Sequence, residues 1–265
     1  MKKQSKFVFG GLAVILGHLS PASAITMQYQ EGDGGLYSQT FATWLEERAP
    51  VTTHGNDSFI QIETEYRPTG TSDLLFRSLV SFPEIFGAQP GQIPLGSTIN
   101  SASLALNIED NGGATDRLQM FRMLTDWAEA TATWGSFGNS GVSVRGNLGG
   151  GQAGVDYDAT LLLDNTVNNT IGTFRTFTGA GGTGIRDAVQ LWSNGALNAG
   201  FLLLNTGGNN MRFTADNGAT QSLRPLLVVD FTPPAVSAQA VPEPATASLL
   251  LLGTVGLFRR RSRSC

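Results

Sequence analysis

Apolar residues in this chain come in short runs, and the clearest run alternates. In residues 101–108, SASLALNI, Leu104, Leu106 and Ile108 share one face, while Ser101, Ser103 and Asn107 share the other. A period of two is the mark of a strand with one face in a core. Residues 74–82 repeat the pattern, with Leu74, Phe76, Val80 and Phe82 on one face. Residues 58–63, 118–124, 173–177, 200–205 and 226–231 also read as strands. Leu226, Leu227, Val228 and Val229 are apolar on both faces, which predicts a central strand. Glycines at 112–113, 149–151 and 179–182 mark the loops between runs. Many short strands separated by turns predict an all-β fold.

One segment departs from period two. Ile185, Ala188, Val189 and Trp192 fall at the spacing of a helical stripe. Thr183 or Gly184 can open this helix and Gly195 can close it. The expectation is one short helix lying across the end of a two-sheet antiparallel β-sandwich.

The ends of the chain obey different rules. Lys2, Lys3 and Lys6 precede an apolar stretch at 7–19, and Ala22-Ser23-Ala24 supplies the small residues a signal peptidase needs. This is the order of a secretory signal, cut after Ala24. Between residues 25 and 240 there is no lysine, and ten arginines face twenty carboxylates, a net charge of −10. The −4 of the whole chain comes from its basic ends masking an acidic body. Such a surface repels phosphate backbones, so nucleic acid is a poor partner. The only cysteine is Cys265. The body therefore has no internal disulfide and must be held by its core. About 200 residues is long enough for that.

The last stretch has three parts. Val241-Pro242-Glu243-Pro244 resists both strand and interior helix. Residues 245–258 are 14 uncharged residues, and Arg259, Arg260, Arg261 and Arg263 follow. As a helix the apolar run reaches about 21 Å at 1.5 Å per residue, short of a hydrocarbon core of about 30 Å. Snorkelling arginines extend its reach and remain on the cytoplasmic side. The expected organisation is a signal peptide at 1–24, a body at 25–232, a linker at 233–240 and a sorting or anchor segment at 241–265.

The Pro242-Glu243-Pro244 triplet, the apolar helix and the arginine tip together resemble the PEP-CTERM sorting signal of Gram-negative bacteria. The resemblance implies an exosortase partner that cuts near the triplet. Before processing, the C-terminal helix holds the exported body at the inner membrane. Afterwards the body passes to the cell surface, outer membrane or extracellular matrix. A plain C-terminal anchor is the simpler alternative.

The body resembles the DNRLRE domain, a jelly-roll β-sandwich related to CBM96-type carbohydrate-binding modules. The turn at 50–56, LLFRSLVSF at 74–82, IPLGSTINSASLALNI at 93–108, TDWAEATATW at 125–134 and LRPLLVVDF at 223–231 carry the likeness. The string that names the family is absent. The resemblance implies a polysaccharide ligand, with an acidic glycan among the candidates. Trp127, Trp134 and Trp192 could stack on a sugar face or pack in the core. Arg77, Arg122 and Arg212 could pair with a glycan carboxylate or with the protein's own. Asp110, Asp116, Asp156 and Asp158, near glycine loops, could hold a structural calcium or be solvated loop charges. No other cofactor is expected.

The sequence speaks against an enzyme. Beyond the leader the one histidine is His54, and no nucleophile elbow, zinc motif or phosphate loop appears. A carboxylate pair serving a polysaccharide lyase or glycosidase remains an alternative, as does a structural biofilm module with no ligand.

Overall fold

The computed structural model describes residues 23–32, 37–65, 74–110, 116–138, 149–167, 170–206 and 209–235. The expected signal peptide up to residue 22, most of the linker and the whole of 241–265 lie outside these residues. The chain divides into two compact units at Pro234 and Ala235, and the first is described here.

Eleven strands and one helix follow in order: β1 Ile25–Gln30, β2 Phe41–Glu46, β3 Phe59–Glu65, β4 Leu74–Ser81, β5 Thr98–Asp110, β6 Asp116–Met123, β7 Tyr157–Val167, β8 Phe174–Phe177, α1 Gly184–Ser193, β9 Phe201–Asn205, β10 Met211–Thr214 and β11 Leu226–Thr232. All pairings between them are antiparallel. The strands form one curled sheet in the order β1-β11-β5-β10-β3-β4-β9-β6-β7, with β2 on β4 and β8 on β5. A single hydrogen-bonded path thus runs where two separate sheets were expected. Two strands make the joins: β5, whose 13 residues pair β11 from Thr98 to Ala105 and β10 at Ile108 and Asp110, and β3, which pairs β10 from Phe59 to Ile62 and β4 from Glu63 to Glu65.

Curling brings the two ends of the path onto one core. Leu104, Leu106, Leu227, Val229 and Phe231 come from one part of it, and Ile60, Val80, Met120, Phe201 and Leu203 from the other. Each such side chain contributes about 1.5–3 kcal/mol when fully buried. The helix covers this core with Ile185, Ala188, Val189 and Trp192, the four residues its stripe predicts, and packs on β5 and β7. Among the described residues, no helix is long and apolar enough to cross a membrane.

Two readings of the strands change. β11 lies between β1 and β5, yet its burial alternates: Leu227, Val229 and Phe231 are buried, while Leu226 and Val228 are half-buried. β2, β4, β6 and β9 carry apolar residues on both faces. Their Leu45, Leu79, Met123 and Leu202 belong to a second, smaller cluster on the sheet's other face. The periodicity does not single out β1, β2, β7 and β10, and in β1, β7 and β10 polar residues interrupt the apolar positions.

Candidate functional site

The four tryptophans are all buried, at 6, 5, 8 and 1% exposure for Trp44, Trp127, Trp134 and Trp192. Trp127 donates its Nε1–H to the Ala199 carbonyl at 2.8 Å. Trp134 lies under the Arg77 guanidinium, 5.1 Å from the ring centre. Trp192 is inside the main core, its ring centre 5.1 Å from that of Phe201. Trp44 stacks on His54 at 3.5 Å and donates to Asp57 at 2.9 Å. None of these rings presents a free face outward.

The three arginines of interest are also engaged. Arg77 donates from Nη1 to the carbonyls of Gly150 and Gly151 at 2.8 and 3.0 Å, pinning that loop over Trp134. Arg122 pairs with Asp158 at 2.9 Å. Arg212 lies 4.4 Å over the Phe59 ring and donates to Gln61. Of the aspartates, Asp156 is buried and accepts the Gln152 N–H at 2.8 Å, closing a turn. Asp158 accepts the Thr160 N–H at 3.0 Å. That bond and, to a smaller degree, Arg122 hold its carboxyl below the ordinary range against a modest burial effect. Asp110 lies opposite Arg212 in the β5–β10 register. The Asp116 side chain lies outside the described residues. The structure thus gives Asp156 and Asp158 local partners, and among the described residues no three His, Cys, Asp or Glu side chains converge on one point.

Two features emerge that the sequence did not single out. The first is a cavity of about 220 Å³ at one end of β3, β4 and β9. Glu63, Thr64, Arg77, Asn205 and Thr206 supply its polar lining, and Leu75, Phe76 and Leu204 its apolar walls. It is smaller than the roughly 300–1,000 Å³ of drug-sized ligand sites.

The second is a buried carboxyl pair. Asp216, just past β10, is 6% exposed and lies beside the carboxyl of Glu129 from the TDWAEATATW stretch. Burial, then the adjacent Glu129 charge, push the Asp216 carboxyl up to about 8. Glu129 is raised by burial too, opposed by the Ala42 N–H that it accepts at 2.9 Å. Glu31, just past β1, accepts the Thr40 N–H at 2.9 Å and adds its charge to both. Gly55 permits this close approach, since a Cβ there would collide with the Glu129 backbone carbonyl. Nothing in the spacing of residues 31, 129 and 216 announces the group. Only the curl of the sheet assembles it.

His54 is held in a separate polar turn. Its Nδ1 lies 3.0 Å from Asp57 and its Nε2 3.7 Å from Glu46.

Comparison with known families settles the other end of the chain. Residues 240–263 match the PEP-CTERM protein-sorting motif. The motif identifies an exported, exosortase-sorted protein directed toward the cell surface, as the triplet, apolar run and arginine tip imply. No curated protein matches the chain.

Proposed function

We propose that the chain is a polysaccharide-binding protein of the cell surface or extracellular matrix, released to its place by exosortase cleavage near Pro242-Glu243-Pro244 after signal peptidase has cut at Ala24. The sorting motif carries the export half of this reading. The cavity at the ends of β3, β4 and β9 supports the binding half, because it sets a carboxylate, a guanidinium, an amide and a hydroxyl beside apolar walls. The DNRLRE-like order of motifs along the body agrees, with the curled sheet standing for a jelly roll. The cell is then Gram-negative, and the segment after residue 240 holds the body at the inner membrane until processing.

The test has two arms. The chain is expressed with and without an exosortase, and its size and location are followed. Replacing Pro242 and Glu243 by alanine should leave the uncut form in the membrane fraction, and cleavage undiminished by those changes would overturn the sorting arm. In the second arm the purified chain is screened against neutral and acidic polysaccharides. Thr206→Trp fills the cavity from its exposed rim and should abolish saturable binding.

A second reading, a structural matrix module without a ligand, is favoured by the burial of all four tryptophans. A folded chain that binds none of the polysaccharides would select it. No catalytic role is proposed.

A further inference from the structure

We propose that the end of the body where its chain enters and leaves is a docking surface for a lipid bilayer. Ile25, Leu95, Leu191 and Leu197 sit in the headgroup region while the unprocessed chain is held at the membrane. This rests on the reading of residues 241–265 as an anchor before processing.

The strand register fixes where the chain leaves the body. Thr232, the last residue of β11, lies opposite Thr98, the first residue of β5. Phe231 lies between Ile25 of β1 and Ile99 of β5. The residue after the expected signal cleavage and the start of the linker therefore share one end of the sheet. Residues 95–97 enter β5 at that same end and are tied to the last turn of α1. The Gly96 N–H donates to the Ser193 carbonyl at 2.8 Å, and the Ser193 hydroxyl donates to the Ser97 carbonyl at 2.8 Å. The Ala196 N–H donates to the Leu191 carbonyl at 3.0 Å, which folds the segment carrying Leu197 back on the helix end.

Three observations favour a bilayer as the occupant. Leu95, Leu191 and Leu197 are 57, 44 and 48% exposed, and Ile25 is 41% exposed. They are four of the nine large apolar side chains left exposed among the described residues. Scattered singly such residues need no explanation, whereas a group at one end marks an interaction surface. Secondly, residues 94–100 and 188–200, which carry the three leucines, contain no charged residue in a body of net charge −10. Carboxylates there would be repelled by anionic headgroups. The nearby Asp230 is engaged, accepting from Asn100 at 2.7 Å and from Thr26 at 3.0 Å. Thirdly, only residues 233–244 separate Thr232 from the apolar run. At most about 3.6 Å per residue, an anchored chain keeps this end within about 43 Å of the bilayer. Apolar side chains without basic neighbours make the contact one of burial rather than of charge.

The experiment reconstitutes the full chain, with Cys265→Ser, into phosphatidylcholine vesicles that carry a nitroxide on the headgroup. A fluorophore is attached at Leu95→Cys, Leu197→Cys or, as the distant control, Ser222→Cys. Ser222 lies beyond the opposite end of β11, roughly 20 Å away along the strand. The labels at 95 and 197 should lose most of their emission, and the label at 222 should keep it. Adding Leu191→Glu should restore emission at 197 without releasing the chain from the vesicles. A chain that does not float with the vesicles would overturn the anchor reading and the docking with it. A chain that floats but shows equal emission at 95, 197 and 222 would leave the anchor standing and overturn the docking alone. Labels shielded from dissolved iodide yet unquenched by the nitroxide would mean that a second copy or the chain's own tail covers the patch, which overturns the bilayer as its occupant.

Discussion

The two faces of the β2-β4-β9-β6 region bury different cores by different means. On the inner face, Trp44, Val80, Met120 and Phe201 point into the main core, which the rest of the sheet and the helix close. On the outer face, Leu45, Leu79, Met123 and Leu202 belong to a second cluster. What closes it is largely a loop, bringing Trp127, Ala132, Trp134 and Phe137. The inner lid has strand ladders behind it. The outer lid has no strand ladder; side-chain bonds from Trp127 to Ala199 and from Arg77 to Gly150 and Gly151, with scattered loop bonds such as Gly135 N–H to Pro50 and Gly150 N–H to Trp134, hold it. A sheet can thus be covered on both sides while only one side has cooperative backbone support. The outer lid should open first, as local units with few ladder bonds do.

The sharpest way to test this contrast is to damage each face separately. Phe213→Ala removes a fully buried ring from the main core. It should cost about 3–5 kcal/mol, a large part of a typical total of about 5–15 kcal/mol. The urea midpoint should fall for every probe together. Gly149→Ala acts on the outer lid, where a Cβ would run into the Trp134 ring. The expected loss is smaller, about 1–3 kcal/mol for overpacking. Hydrogen exchange should rise in the lid while β5 stays protected. If β5 loses protection to the same degree, the two faces form one cooperative unit and the contrast fails.

The same contrast explains what could be read in the sequence. The inner core was legible because its strands alternate: Leu104, Leu106 and Ile108 report their face directly, and the Ile185–Trp192 stripe reports the helix. The outer cluster was not. Its aromatic rings sit in a stretch with no regular period, where Trp127 and Trp134 read as packing or as ligand platforms. Leu79 and Leu202 make β4 and β9 apolar on both faces, but no periodicity says what lies over the second face. The Glu31–Glu129–Asp216 group was hidden for a further reason. Its members are 98 and 87 residues apart along the chain, and only the pairing of β10 with β3 and β5 brings Asp216 to its place. The sorting signal needed no folding to be seen, since its order along the chain is itself the message.

Smaller changes refine the account of the outer lid. Trp127→Phe keeps most of the ring and removes the donor to Ala199. A buried carbonyl left without its partner costs about 1–3 kcal/mol. Limited proteolysis should then cut within residues 124–156 before the rest of the body is attacked. Cleavage no faster than in the wild type would show that packing alone holds the lid.

The weakest expected effect lies at the lid's edge, where Arg122 meets Asp158 with side chains 12 and 32% exposed. Partial solvent screening limits the pair, so Asp158→Asn should cost no more than about 1 kcal/mol at neutral pH. The pH dependence then identifies the source. The Asp158 carboxyl is held below its ordinary value, first by the Thr160 N–H and then, more weakly, by Arg122. Its stabilisation is therefore present above the unfolded carboxyl's pKa and lost as the pH falls through the folded one. The gap between wild type and Asp158→Asn in urea midpoint should be open at neutral pH and close toward about pH 2, below an ordinary aspartate. A gap unchanged by acid would mean that the variant acts through the shape of the turn rather than through charge. The lid's edge would then be held by packing, as the inner core is.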